Sequence, residues 1–401
     1  MRALLAYLFE SRRGNRGDRP PAQGPAAPAG TLNAKIRGNL LLHALLEPAS
    51  TQSLALHEWN ALLQLARFNN LAARLAAALE ASGVLGGAPA KARQQLRAAA
   101  IAAESAQTAI RFEVNRVLRA LQGLDVRIIL MKGSAYVLAA LPPARGRYVG
   151  DVDLMVPRER IEEVEKRLIE RGWQASDLNE YDQRYYREWA HEIPPLQHPE
   201  RDTPLDIHHT IVPLTSRLRP DAAALFAASV PLADPRLRVL CPADMVLHSG
   251  VHLFNDEVGA PLRDLFDLHD LLCHFGARAG FWDGLLARSR LHGLQRPLYY
   301  VLRHTERHLG TPIPPAVKKA TAAEGPGSLL NVLMDWIFDR RFRVQSPGGP
   351  RVGIVLASWL HYMRAHWLRM PPGLLVHHLT VKAMRGIVQS IGRKHEDGAP
   401  H

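Results

Sequence analysis

"RYVGDVDLMV", residues 147–156, sets two aspartates, Asp151 and Asp153, into an apolar, strand-forming run that Pro157 stops. Successive side chains of a strand alternate faces, so Asp151 and Asp153 share one face while Val152 and Leu154 share the other. One face is core and the other carries paired charge. Burying an ionised carboxylate costs several kcal/mol unless a cation or hydrogen bonds compensate, and two like charges on one face repel. A hard divalent cation with oxygen ligands meets both needs, and Mg²⁺ typically takes one or two carboxylates while leaving positions for water and phosphate oxygens.

Working outward, "DVRIILM" (125–131) is a short β-branched run bounded by Gly123 and Gly133, and "SAYVLAAL" (134–141) reads as a short helix. "RERIEEVEKRLIERG" (158–172) predicts an amphipathic helix with Ile161, Val164, Leu168 and Ile169 on one face. "HEIPPLQ" and "PLDIHHTIV" flank the turn-rich "HPERDT" (198–203) as a hairpin. Upstream, residues 32–123 carry helical periodicity, ending near Gly123 as a C-cap. Beyond about Pro220 the strands are expected to stop, and the pattern is helical to Arg393. The fold class is therefore α+β, a small mixed-sheet core flanked by N- and C-terminal helical regions. The expected division is 1–31 disordered, 32–123 helical, 124–220 the α/β core, 221–393 helical and 394–401 a disordered tail. The Pro-, Gly- and Ala-rich "GNRGDRPPAQGPAAPAGT" (14–31) has little to bury, which is why the first segment reads as a tether.

Two further features join the aspartates. Asp206, in "TPLDIHHT", is again an acid between apolar residues in a predicted strand, and if that strand pairs beside "DVDLMV" it can complete a three-carboxylate, two-metal site. Upstream, "IILMKGSAYVL" runs from strand through Gly133 and Ser134 into a helix. A glycine lets a phosphate approach the backbone, the helix start offers free N–H groups, and the Ser134 hydroxyl can donate to an oxygen. Lys132, Arg145 and Arg147 flank these motifs and are candidates to stabilise phosphates, with Lys132 and Arg147 favoured over Arg145. His208 and His209 follow Asp206 directly, and one of them must share its neighbourhood.

"KGSAYVLAAL", "RYVGDVDLMV" and "LDIHHT" together resemble the DNA polymerase beta-type nucleotidyltransferase superfamily, and most of all its bacterial, uncharacterised nucleotidyltransferase branch. The close match spans about 125–212, with a looser one through the "VLHSGVHLF" and "LRDLFDLHDLL" helices. The resemblance implies an NTP held with two Mg²⁺ ions, with Gly133 and Ser134 on the triphosphate. It implies Asp151 and Asp153 as ligands of both metals and Asp206 as ligand of the one that activates the acceptor hydroxyl. It also implies that the later helices cover the nucleotide, with Asp267 or Asp270 as buttressing acids. The acceptor, whether small molecule, RNA or protein, has no readable motif. The alternative is a regulatory or scaffold protein that keeps the fold without catalysis, and the presence of all three acids argues against it.

The remaining composition sets bounds. The 401 residues exceed what one core usually serves, and the net charge of +12 suits polyanionic partners, whether nucleotides, nucleic acids or anionic lipids, without choosing among them. Cys241 and Cys273 are too few for a disulfide scaffold or a cysteine zinc site and read as core fillers. "VGIVLASWLHYM" (352–363) falls short of the roughly 20 apolar residues that span a bilayer. No cleavage site follows "MRALLAYLFE", so a cytoplasmic protein is expected. His248 and His252 stand four apart on a predicted helix, a spacing that can share a metal, but a histidine-lined helix face is more often satisfied structurally. "LVHHLTVKAMRGIVQSIGRK" (375–394) is a basic amphipathic pattern capable of peripheral contact with anionic lipid.

Overall fold

The computed structural model describes residues 39–255, 259–346 and 352–373. The expected N-terminal tether and the basic amphipathic segment at 375–394 lie outside the described residues. Among the described residues, four α-helices lead in: α1 (Leu40–Leu46), α2 (Leu56–Phe68), α3 (Ala72–Ala81) and the long α4 (Ala90–Ala120). On α4, Ile110, Val114, Val117 and Leu118 are buried at helical spacing, forming the stripe that packs on the core. Gly123, with φ of 86°, then turns the chain beyond the end of α4.

The α/β part runs β1 (Ile128–Leu130), α5 (Lys132–Leu138), β2 (Val152–Met155), α6 (Ile161–Glu170), β3 (Gln174–Ala175), α7 (Glu180–Glu188), β4 (Leu196–Gln197), β5 (Leu205–His208). It continues through α8 (Ala222–Ala228), β6 (Val230–Pro231) and β7 (Leu237–Val239). The seven strands form one mixed sheet in the order β3-β4-β5-β2-β1-β7-β6. β2 lies at its centre, antiparallel to β1 (Leu130 opposite Leu154) and parallel to β5 (Val152 opposite Leu205). The predicted hairpin is β4–β5, antiparallel with Leu196 opposite Leu205.

Two expectations need correction, and one helix was not foreseen. Strands do not stop near Pro220, because β7 joins the sheet parallel to β1, with Ile129 opposite Arg238, and β6 pairs with β7. These strands are two and three residues long, and Pro231 sits in the edge strand, so no alternating run exists for a periodicity argument to find. Residues 180–188 form a helix, α7, whose start is set by Asn179 accepting the backbone N–H of Asp182 at 3.1 Å. Finally, Ile161, Val164 and Leu168 are buried on α6 as expected, whereas Ile169 is 47% exposed.

The C-terminal part is helical: α9 (Pro242–Asn255), α10 (Pro261–Gly276), α11 (Phe281–Leu291), α12 (Gln295–Leu309), α13 (Pro315–Ala322), α14 (Ser328–Arg341) and α15 (Val352–Arg369). Nearly every residue of α9 is buried, as befits a helix surrounded by others. One hydrophobic core runs without a break from Leu41 through the sheet to Ala357. Polar ties reinforce it. Buried Glu113 on α4 accepts from Trp173 (2.9 Å) and Arg201 (2.6 Å), and Tyr136 on α5 shares a 2.6 Å hydrogen bond with Ser249 on α9. Cys241 and Cys273 are free, partly buried thiols. No helix among the described residues is long and apolar enough to cross a membrane.

Candidate active site

The parallel pairing of β2 and β5 decides where the acids meet. Val152 N–H bonds to Pro204 C=O at 3.0 Å, and in that register Asp153 stands directly opposite Asp206. Neighbouring strands lie about 4.8 Å apart, so side chains at matched positions project together from one face. Asp151, one residue ahead of β2, falls on the same face and is exposed at the strand's mouth. The three predicted carboxylates are therefore brought together, with Asp153 deep, Asp206 at intermediate depth and Asp151 outermost.

Their titration records the crowding. Asp206 is pushed up to about 7, by burial first and then by the negative charges of Asp153 and Glu192. Asp151 shifts upward from desolvation and from Asp153. Asp153 moves the other way: burial opposes its ionisation, but Lys132 and His208 outweigh it and hold the carboxyl far below the usual range. Lys132 Nζ donates to Asp153 Oδ1 at 2.7 Å, and His208 Nε2 lies 3.1 Å from the same oxygen. Both contacts fall on Oδ1, and Oδ2 receives neither. Lys132 opens α5 with φ of 44°, a left-handed conformation uncommon outside glycine, which aims its side chain back at β2. Burial works against its charge, yet Asp153 raises its pKa.

The Gly-Ser turn is built differently from a simple phosphate cradle. Ser134 is fully buried, and its hydroxyl is shared between the carbonyls of Met131 (2.8 Å) and Asp153 (2.9 Å), which clamps α5 onto β2. A Cβ on Gly133 would lie 2.6 Å from Val149 Cγ1, so glycine is required there for close packing on the motif loop. The first intrahelical bond of α5 is Ala135 N–H to Met131 C=O, so the amides of Lys132, Gly133 and Ser134 precede its ladder.

The arginines divide. Arg147 forms a buried ion pair with Asp267, with Asp264 3.7 Å away and its guanidinium over the Tyr136 ring. Burial, and then Arg263, lower its pKa. Arg145 is exposed. Asp270 binds Arg74 of α3 at 2.7 Å. The buttressing expected of Asp267 or Asp270 is thus supplied by both, and α10 ties the motif loop to the N-terminal helices. Arg263, which no sequence signal singled out, is the cation whose charge acts on Asp151 alongside Lys132 and Arg147.

His208, not His209, stands beside the acids, because it is two residues from Asp206 on the same face of β5. His248 is buried on α9, and burial together with Lys132 holds it well below the ordinary imidazole value, a neutral ring. Among the described residues, the metal-capable cluster is His191, Glu192 and His208 rather than the His248/His252 pair. Glu192 and His191 carry no motif of their own. Only the antiparallel bridge between Glu192 and His208 makes them neighbours of the site.

A family model described as an uncharacterised nucleotidyltransferase matches residues 56–310, more than half of the chain. No curated protein and no solved structure matches.

Proposed function

Since the chain belongs to this uncharacterised nucleotidyltransferase family and is a nucleotidyltransferase, we propose that it moves a nucleoside monophosphate from an NTP to an acceptor hydroxyl and releases pyrophosphate. In this reading residues 124–220, completed by β7, are a polymerase beta-type core between the two helical regions, and Asp151, Asp153 and Asp206 carry the chemistry. The observation that carries the proposal is the register of Asp153 opposite Asp206 with Asp151 on the same face.

The residues present fit divalent metal. The donor set is oxygen-only, suited to Mg²⁺, and an Asp206 raised to about 7 marks a group of carboxylates short of positive charge. Asp151, Asp153 through Oδ2, and Asp206 are the residues that would hold Mg²⁺, which supplies charge neutralisation for pyrophosphate and acidifies the acceptor hydroxyl. Lys132 and His208 keep Asp153 ionised and fix its rotamer. Ser134 orients the backbone of α5 through Met131 and Asp153, so that the amides at its start, rather than the hydroxyl, face incoming phosphate. Arg263, held on Asp264 through its guanidinium at 2.7 Å, adds positive charge that acts on Asp151.

The test is incubation of the purified protein with each labelled NTP, Mg²⁺ and a cell extract. Labelled product and pyrophosphate with at least one NTP, lost in Asp151→Ala/Asp153→Ala, is the expected result. Silence across all four nucleotides overturns the reading.

A further inference from the structure

Beside the acid triad lies a second constellation of different chemistry. Glu192 and His208 face each other across an isolated antiparallel bridge, and His209 N–H bonds to His191 C=O at 2.9 Å, which holds the 191–192 segment against the end of β5. One ligand atom from each of His191, Glu192 and His208 lies within 4.8 Å of the others. The rings of His191 and His208 are 5.1 Å apart between centroids. His208 is 1% exposed. Its Nε2 engages Asp153 Oδ1 at 3.1 Å, while its Nδ1 lies 3.2 Å from Glu192 Oε2, without a hydrogen bond to any partner.

With Nε2 engaged by the Asp153 carboxylate, Nδ1 is the ring atom left to face Glu192 Oε2, as a second N–H donor of the imidazolium or, once that proton leaves, as a lone pair that a metal ion can take. Metal–nitrogen and metal–oxygen bonds of roughly 2.0–2.2 Å place adjacent ligand atoms about 3 to 3.5 Å apart in a tetrahedral or octahedral shell, and the Nδ1 to Oε2 distance matches this edge. A metal-bound imidazole typically donates its other N–H to a carboxylate, which orients the ring and raises its basicity. Asp153 occupies that role here. Imidazole nitrogen favours zinc and its first-row neighbours over magnesium.

We infer that His191, Glu192 and His208 bind one divalent transition metal ion, of which Zn²⁺ is the probe, at a site distinct from the oxygen-only triad and joined to it through the Asp153–His208 hydrogen bond. The full chain, stripped with a chelator, is titrated calorimetrically with ZnCl₂ and separately with MgCl₂, and its Co²⁺ form is examined for visible absorption. The background is Asp151→Asn/Asp206→Asn, which dismantles the triad. Expected are one equivalent of Zn²⁺ bound about a hundredfold or more tightly than Mg²⁺, retained in that background, and weakened about tenfold or more by Glu192→Gln and by His191→Ala. Glu192 is one quarter exposed, so its isosteric variant should fold. If it does not, His191→Ala and the nitrogen-ligated Co²⁺ bands of the unmutated chain decide. Absence of Zn²⁺ heat and of Co²⁺ bands, or affinity unchanged in both ligand variants, overturns the site. Because the readout is metal binding without nucleotide, it stands or falls apart from nucleotidyl transfer.

Discussion

Asp153 and Asp206 are register partners in adjacent parallel strands, yet their carboxyls titrate on opposite sides of the ordinary aspartate range. The difference lies in their neighbours. Asp153 has a buried ammonium and an imidazole on one oxygen, whereas Asp206 has burial and two carboxylates.

The first expectation is a pH-dependent stability. A carboxyl raised from the ordinary value near 4 to about 7 costs nothing below pH 4, where folded and unfolded forms are both protonated. Between those values the unfolded chain ionises first, so the fold loses stability as pH rises and levels off above 7. Metal-free Asp206→Asn should therefore melt higher than the parent at pH 7.5, by an amount worth about 1–3 kcal/mol, and converge with it near pH 4. Thermal melts in EDTA from pH 4 to 8 check this, and parallel curves would refute it.

In catalysis the same substitution should act in the opposite sense. Asp151, Asp153 and the amides at the start of α5 can still hold a nucleotide, so NTP affinity should stay within a few-fold while turnover falls about a hundredfold or more. Calorimetry and pyrophosphate release measure the two. Near-normal turnover would send the search for the third acid to Asp202 in the adjacent turn.

Lys132→Met removes the principal cation from Asp153 and leaves a buried carboxylate with His208 alone. Loss of one partner of such a pair should cost on the order of 3 kcal/mol in urea denaturation, and added Mg²⁺ should restore part of it if the triad binds the ion. A change below about 0.5 kcal/mol would mean that the pair is not formed in solution.

Ser134 and Gly133 separate packing from phosphate contact. Ser134→Ala should cost about 1 kcal/mol of stability, the scale of a lost buried hydrogen bond, with little change in NTP affinity. Gly133→Ala should cost about 1–3 kcal/mol through its clash with Val149, and Val149→Ala should recover part of that loss in the double variant. Lost affinity at full stability in Ser134→Ala would return its hydroxyl to the phosphate.

The strongest local patterns were the ones that survived folding. "DVDLMV", the Pro-rich hairpin and the α6 stripe each had enough residues to declare their period, and Asp206 joined Asp151 and Asp153 because β5 pairs where its pattern required. β6 and β7 were too short to carry a period and exist because β1 has an edge to fill. The contacts of Ser134 and Arg147 were not legible for another reason: residue type says which hydrogen bonds are available, and only the fold says that Met131, Asp153 and Asp267 engage them. Glu192 and His191 were invisible because their meaning lies wholly in a cross-strand neighbour.

The pairing of β1 with β7 also sets a clock. During synthesis Leu130 leaves the ribosome long before Leu237, and until β7 arrives one edge of β1 presents unpaired backbone N–H and C=O groups. At roughly 5–20 residues per second that interval is on the order of ten seconds, during which the acids of β2 and β5 can be assembled but the sheet that holds them cannot be closed. A chain released early, before residue 239, would carry every predicted catalytic aspartate together with an open strand edge, and its fate would be association with other nascent chains rather than a smaller working enzyme.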